Sequence, residues 1–207
     1  MNKKGFTLIE LLAALVILSL LMMIAVPAVL NLLSNNRKDT ALEDAKKLVS
    51  AAQYKMKSNT KIKKPLSNQC NVISMEYLET SDFEEAPNGG EYDQLGSFVI
   101  IKRLPGDIKY EYYVRMVEEV DNDSYIGVSL VKYEDLSTKN SRNLINGITV
   151  PIFDIYPDPD LNALKSKIMD ISYDGGTVGS KICTGGISEV YYLEWEKNYL
   201  FFFFMYK

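Results

Sequence analysis

Apolar and polar residues alternate with three different rhythms along the chain. From Phe6 to Leu30 nearly every residue is apolar, and no charge occurs between Leu11 and Asn36. About 20 such residues suffice for an α-helix to cross a bilayer, so this run predicts a membrane-length helix. Beyond it, Leu42, Ala45, Val49, Ala52 and Met56 recur at spacings of three and four, with Lys46, Lys47, Ser50, Gln53 and Lys57 opposite. Asp39, Glu43 and Asp44 precede Lys46 and Lys47, which gives favourable helical neighbours. The pattern dissolves at Ser58-Asn59-Thr60. One helix from Phe6 to about Met56 would be roughly 75 Å long at 1.5 Å per residue. Its first half suits lipid or a core of packed helices. Its second half carries a narrow stripe to bury against a globular head.

The third rhythm is that of strands. Ser58–Gln94 is polar and loop-like, with Pro65, Pro87, the turn Asn88-Gly89-Gly90 and a short helix around Ser74–Thr80. Ser97–Leu104 is strand-like and runs into the turn Pro105-Gly106-Asp107. Ile108, Tyr110, Tyr112, Val114 and Met116 then alternate with Lys109, Glu111, Tyr113 and Arg115, the signature of a half-buried strand. After Asp121-Asn122-Asp123 a strand over Tyr125–Tyr133 puts Ile126, Val128 and Leu130 on one face. These runs predict an antiparallel meander whose apolar face the long helix covers. Further on, a strand over Ile148–Tyr156, a helix over Asp160–Met169, a glycine-rich loop over Asp174–Gly186 and strands over Glu189–Glu196 and Tyr199–Tyr206 are expected. The fold class is therefore α+β, a helical spine with a membrane half and an amphipathic half, packed on an antiparallel sheet.

Composition narrows the chemistry. Histidine is absent from the 207 residues, which removes imidazole triads and His-ligated zinc. Cys70 and Cys183 are the two cysteines, too few for a four-thiolate metal site. They are either a disulfide, if the head lies outside the cell, or two buried thiols. The net charge of −4 argues against nucleic acid as a partner, although Lys61, Lys63 and Lys64 form a local basic patch. Asp174-Gly175-Gly176-Thr177-Val178-Gly179 lacks the lysine of a P-loop and reads as a turn. Asp121 and Asp123 begin like a calcium loop that Tyr125 and Ile126 do not continue, and Asp158-Pro159-Asp160 adds two loop carboxylates. Asn122-Asp123-Ser124 fits a glycosylation sequon. The run Phe201–Phe204 lies in a segment too short to span a bilayer, suited to a doubly buried strand or a sticky edge. No catalytic residue, metal site or cofactor is expected.

One residue breaks the apolar run. Glu10 sits where a carboxylate is costly, and ionisable groups inside a membrane segment are functional candidates by default. It follows a short basic leader in Lys4-Gly5-Phe6-Thr7-Leu8-Ile9-Glu10, ahead of the long apolar helix. A cleaved secretory signal would have an unusually long apolar core, and Ala25-Val26-Pro27-Ala28 is a poor cleavage site for one. The combination of Gly5, Phe6, Thr7, Glu10 and Pro27 instead resembles the class III signal of type IV pilins and pseudopilins. The resemblance covers roughly the first thirty residues. It implies that a prepilin peptidase cuts between Gly5 and Phe6 and methylates Phe6. It also implies that Glu10 pairs with a neighbour's terminal amine and sets register, and that Pro27 loosens the helix.

On this reading residues 1–5 are a leader, 6–57 the transmembrane and assembly helix, and 58–207 the globular head. The chain would be a non-enzymatic subunit of an extracellular filament, stored in the membrane. Its partners would be other pilin subunits, the peptidase and the pilus assembly machinery. Alternatives are a pseudopilin of type II secretion and a surface binding protein that never polymerises. A membrane-anchored enzyme working with carboxylates alone is a further class, for which no paired acids stand out.

Overall fold

The computed structural model describes residues 5, 7–78, 83, 85–106, 109–121, 124–148 and 160–192. The expectations at Phe6, Asn122-Asp123, Asp158-Pro159 and Tyr199–Tyr206 lie outside these residues. So does the expected strand over Ile148–Tyr156 beyond its first residue.

A single helix, α1, spans Leu8–Ser58 and continues through Pro27. Its two halves have opposite surroundings. Large apolar side chains from Leu8 to Leu33 are exposed, whereas Leu42, Ala45, Leu48, Val49 and Ala52 are buried against the head. The small residues of this stripe let the sheet approach closely, and the helix ends at Asn59, whose N–H donates to the Lys55 carbonyl at 2.9 Å.

The head is built from β1 (Cys70–Ser74), the one-turn helix α2 (Met75–Leu78), β2 (Glu91–Tyr92), β3 (Phe98–Arg103), β4 (Tyr110–Asp121) and β5 (Ser124–Lys132). Next come β6 (Ile145–Gly147), α3 (Leu161–Met169), the hairpin β7 (Ser172–Tyr173) and β8 (Gly176–Thr177), and β9 (Ile187–Tyr191). The main sheet has the order β6-β5-β4-β3-β1-β9, with β2 also on β4. All its pairings are antiparallel except β1 with β9. A long helix thus packs on a mostly antiparallel sheet.

Four expectations need correction. Ser58–Gln94 is not all loop, because β1 lies inside the sheet between β3 and β9. All five of its residues are buried, so it has no period-two alternation to betray it. Second, β4 is not half-buried: Tyr113 and Arg115, on its nominally polar side, are buried too. A second apolar layer of Leu164, Ile168, Val178 and Ile182 covers that face and packs with Cys70, Val72, Phe98, Ile100 and Tyr113.

Third, Leu130 does not share a face with Val128. Between Val114↔Val131 and Met116↔Val128 one residue of β4 faces two of β5. This bulge turns Leu130 to the second layer and returns Val131 to the helix side. Fourth, Asp174–Gly186 is more than a loop. Asp174 and Gly175 have φ of 43° and 72°, the left-handed pair that a tight two-residue hairpin turn requires between β7 and β8. A π-helical turn over Val178–Ile182 follows and buries both its end residues.

Candidate assembly helix and head surface

At the N-terminus, Thr7 and Glu10 lock the first turn of α1. The Thr7 hydroxyl oxygen accepts from the Glu10 N–H at 3.3 Å, and Glu10 Oε2 accepts from the Thr7 N–H at 2.8 Å and hydroxyl at 2.7 Å. This reciprocal pair is a capping box, which satisfies two of the amides that every helix start leaves unpaired. The Thr-x-x-Glu spacing that signals it was present in the sequence beside the acid it explains. Within one chain, then, Glu10 already has a partner. The carboxylate is exposed, as are Gly5 and Thr7 before it.

From Leu8 the helix carries an 18-residue window of mean hydropathy 2.8 with none of it buried, long and apolar enough to cross a membrane. The one hydroxyl in its first half is satisfied within the helix: that of Ser19 donates to the Val16 carbonyl at 2.8 Å. Pro27 withholds the amide that would bond the Met23 carbonyl, yet the helix continues past it. A bare apolar rod of this length calls for lipid or other helices around it.

The head grips the other half through polar contacts that periodicity did not reveal. Asp44, on the buried face of α1, accepts from the Tyr92 hydroxyl at 2.8 Å and pairs with Lys47 at 2.8 Å. Burial and this carboxylate push the Tyr92 phenol well above its ordinary range. Asp39 binds Arg142 through two 2.6 Å hydrogen bonds, which hold its carboxyl below the usual value. Glu118 is buried and accepts from the Asn88 N–H and side-chain amide and from the Gly90 N–H, at 2.8, 2.8 and 3.1 Å. A Cβ at Gly90 would collide with the Glu119 carbonyl, so this loop needs glycine there.

Cys70 and Cys183 are fully buried and joined by a disulfide, with Cα atoms 5.5 Å apart. The bond ties the interior strand β1 to the end of the π-helical turn. Among the described residues no group of three His, Cys, Asp or Glu side chains is arranged to hold a metal ion. Asp121 ends β4, and Asp160 caps α3 by accepting from the N–H groups of Asn162 and Ala163.

Comparison with known families agrees with the helix. Residues 1–26 match the prokaryotic N-terminal methylation motif, the class III signal of type IV pilins and pseudopilins. No curated protein and no solved structure matches the chain. The motif supports a type IV pilin or pseudopilin family, and the long helix on its sheet is a pilin-like α+β arrangement. A prepilin motif followed by an apolar helix is consistent with membrane anchoring and surface filaments.

Proposed function

We propose that this chain is a structural subunit of a type IV pilus or pilus-like filament. The observation that carries the reading is the unburied apolar half of α1, opening with Gly5, Phe6, Thr7 and Glu10 inside the matched motif. Residues 1–5 would be a cytoplasmic leader, 6–57 the membrane and assembly helix, and 58–207 the exported head. Prepilin peptidase would cut after Gly5, whose lack of a side chain admits a protease to the backbone, and the new amine at Phe6 would be methylated.

During assembly the helix leaves lipid for a core of neighbouring helices. The Phe6 amine of one subunit then meets Glu10 of another in low dielectric, where leaving either charge unpaired is strongly unfavourable. Register follows from that pairing. Pro27, which leaves one carbonyl without its usual donor, gives the helix a place to loosen as it packs. The head faces solvent, and its partners are subunits of the same kind and the assembly machinery. A pseudopilin of a secretion piston uses the same helix and the same processing.

Mass spectrometry of the intact protein from its native membrane and surface fractions tests the processing step. A mature chain beginning at N-methylated Phe6 is expected. A chain that keeps Met1–Gly5 in cells with active prepilin peptidase would overturn the reading and point to a plain membrane anchor.

A further inference from the structure

Charge in this acidic chain is segregated in blocks. From Ala45 to Met75 there are seven lysines and no acid, and from Glu76 to Ile101 seven acids and no base. The fold carries this segregation into two separate surfaces. One is the loop after α1. Ile62 and Pro65 are buried and pin it to the head, while Lys57, Lys61, Lys63 and Lys64 are exposed. Its backbone is held as well: Lys61 N–H donates to Asn59 Oδ1 at 2.9 Å, Lys63 N–H to the Tyr191 hydroxyl at 2.8 Å, and Asn71 Nδ2 to the Lys63 carbonyl at 2.6 Å. Lys63 pairs with Glu189 at 2.8 Å. The side chains of Lys57, Lys61 and Lys64 have no ion-pair partner among the described residues.

The other surface is the outer end of the β2–β4 ladder. Glu91 stands directly opposite Glu119 across the two strands, an arrangement that like charges disfavour. Asp121 follows on β4 and Glu85 precedes β2, and all four are exposed. Arg37 and Lys38 of α1 line a cavity behind this face, together with Asn88 and Glu118. Glu118 is already engaged by Asn88 and Gly90, and the four exposed acids have no ion-pair partner among the described residues.

The two surfaces lie at different levels of the spine. Tyr92, beside Glu91, binds Asp44. Lys57 comes thirteen residues later on the same helix, about 20 Å further along its axis at 1.5 Å per residue. They therefore cannot meet within one molecule.

We infer that the lysine loop around Lys57, Lys61 and Lys64 of one subunit docks on the Glu91–Glu119 face of a second copy of this chain. This rests on the filament reading: subunits drawn from one membrane all point the same way, so the distal level of one head reaches the proximal level of a head further along. The contact joins two different patches, and with the helical rise that the filament reading supplies it propagates instead of closing into a ring. A single exposed ion pair contributes little. Here several lysines meet several carboxylates on a loop already held in place, and the joint recurs at every subunit.

Reciprocal charge reversal in the full-length protein, expressed in its native host, tests the joint. Lys61→Glu with Lys64→Glu, and separately Glu91→Lys with Glu119→Lys, should each lower the yield of sheared filaments about tenfold or more, because like charges then face one another. Membrane levels and the Cys70–Cys183 disulfide should be unchanged. The chain carrying all four substitutions should recover filaments to within about twofold of the unmodified protein. Unmodified filaments should also fragment in about 1 M salt, where screening acts over about 3 Å.

If the unmodified chain forms no filament, the polymer reading fails and the joint with it. If filaments form but either reversal leaves their yield unchanged, only the joint is overturned. The joint is overturned too if the chain with all four substitutions does no better than the worse of the two reversals. Normal filaments that lose retention of an acidic polymer would assign the loop to an external ligand, again against the joint.

Discussion

Glu10 has a partner inside its own chain and a proposed one in a neighbour, and substitution separates the two. Glutamine at this position still accepts from the Thr7 amide, so Glu10→Gln preserves the capping box but removes the charge. Thr7→Ala does the reverse. Glu10→Gln is expected to reach the membrane at the normal level and to be lost from sheared filaments, while Thr7→Ala assembles. Immunoblots of the two fractions report both. The opposite pattern would reduce the acid to a helix cap. Asp44 poses the same question in the head. The sequence reads its carboxylate as a helical neighbour of Lys46 and Lys47, and the pair with Lys47 is present, but Asp44 is also buried, and only the structure brings Tyr92 to it from forty-eight positions away. Tyr92→Phe should cost about 1.5–3 kcal/mol, the range for a hydrogen bond to a charged group. Urea denaturation measures it, and a loss near zero would mean that Lys47 and water suffice for Asp44.

Elements were legible in proportion to how far local sequence determines their burial. Helix α1 announces itself because one face differs from the other over many residues, β4 by the alternation of its sequence, and β3 by the apolar run Phe98-Val99-Ile100-Ile101 that ends near the turn Pro105-Gly106-Asp107. The strand β1 does not, since Cys70, Asn71, Val72, Ile73 and Ser74 are all buried by neighbours that arrive from distant parts of the chain. The bulge that turns Leu130 away from Val128 is likewise a property of the β4–β5 pair, invisible in β5 alone. At the strand ends, Lys132 bridges Glu111 at 2.7 Å. Hydrogen bonding to Lys132 holds the Glu111 carboxyl below its ordinary 4.5, and hydrogen bonding to Glu111 raises Lys132 above 10.5. The depressed acid contributes stability that is present above about pH 4.5 and lost as pH falls through its folded value. The raised lysine contributes stability present below about pH 10.5 and lost as pH rises through its folded value. Lys132→Met should therefore lower the urea midpoint at about pH 6 and lower it less at about pH 3, since the depressed acid loses its contribution progressively as pH falls. An equal loss at both pH values would point to packing by the lysine stem instead of charge.

At the scale of the whole molecule the chain divides into a rod that contributes nothing to the head and a head with two layers of core, one on each side of the sheet. Periodicity gave the layer under α1. The layer under α3 stayed hidden because it is assembled from short, glycine-punctuated pieces with one or two apolar residues each. The candidate site was more legible than the head, since Gly5, Glu10 and the apolar run lie within one continuous stretch, whereas the lysine and glutamate surfaces depend on the fold. The disulfide between Cys70 and Cys183 ties the hidden layer to β1 and closes 113 residues of sequence. In the chain-entropy account such a closure contributes about 4–5 kcal/mol. Replacing both cysteines by alanine removes the bond without leaving a lone thiol, and for a head of this size should lower the melting temperature by about 10–15 °C. The loss should also be uneven. Hydrogen exchange should accelerate most in α3 and in Val178–Ile182, which the bond anchors, and least in β3 and β4, which α1 covers. A uniform acceleration would mean that the two layers melt as one unit, and that the bond acts only by constraining the unfolded chain.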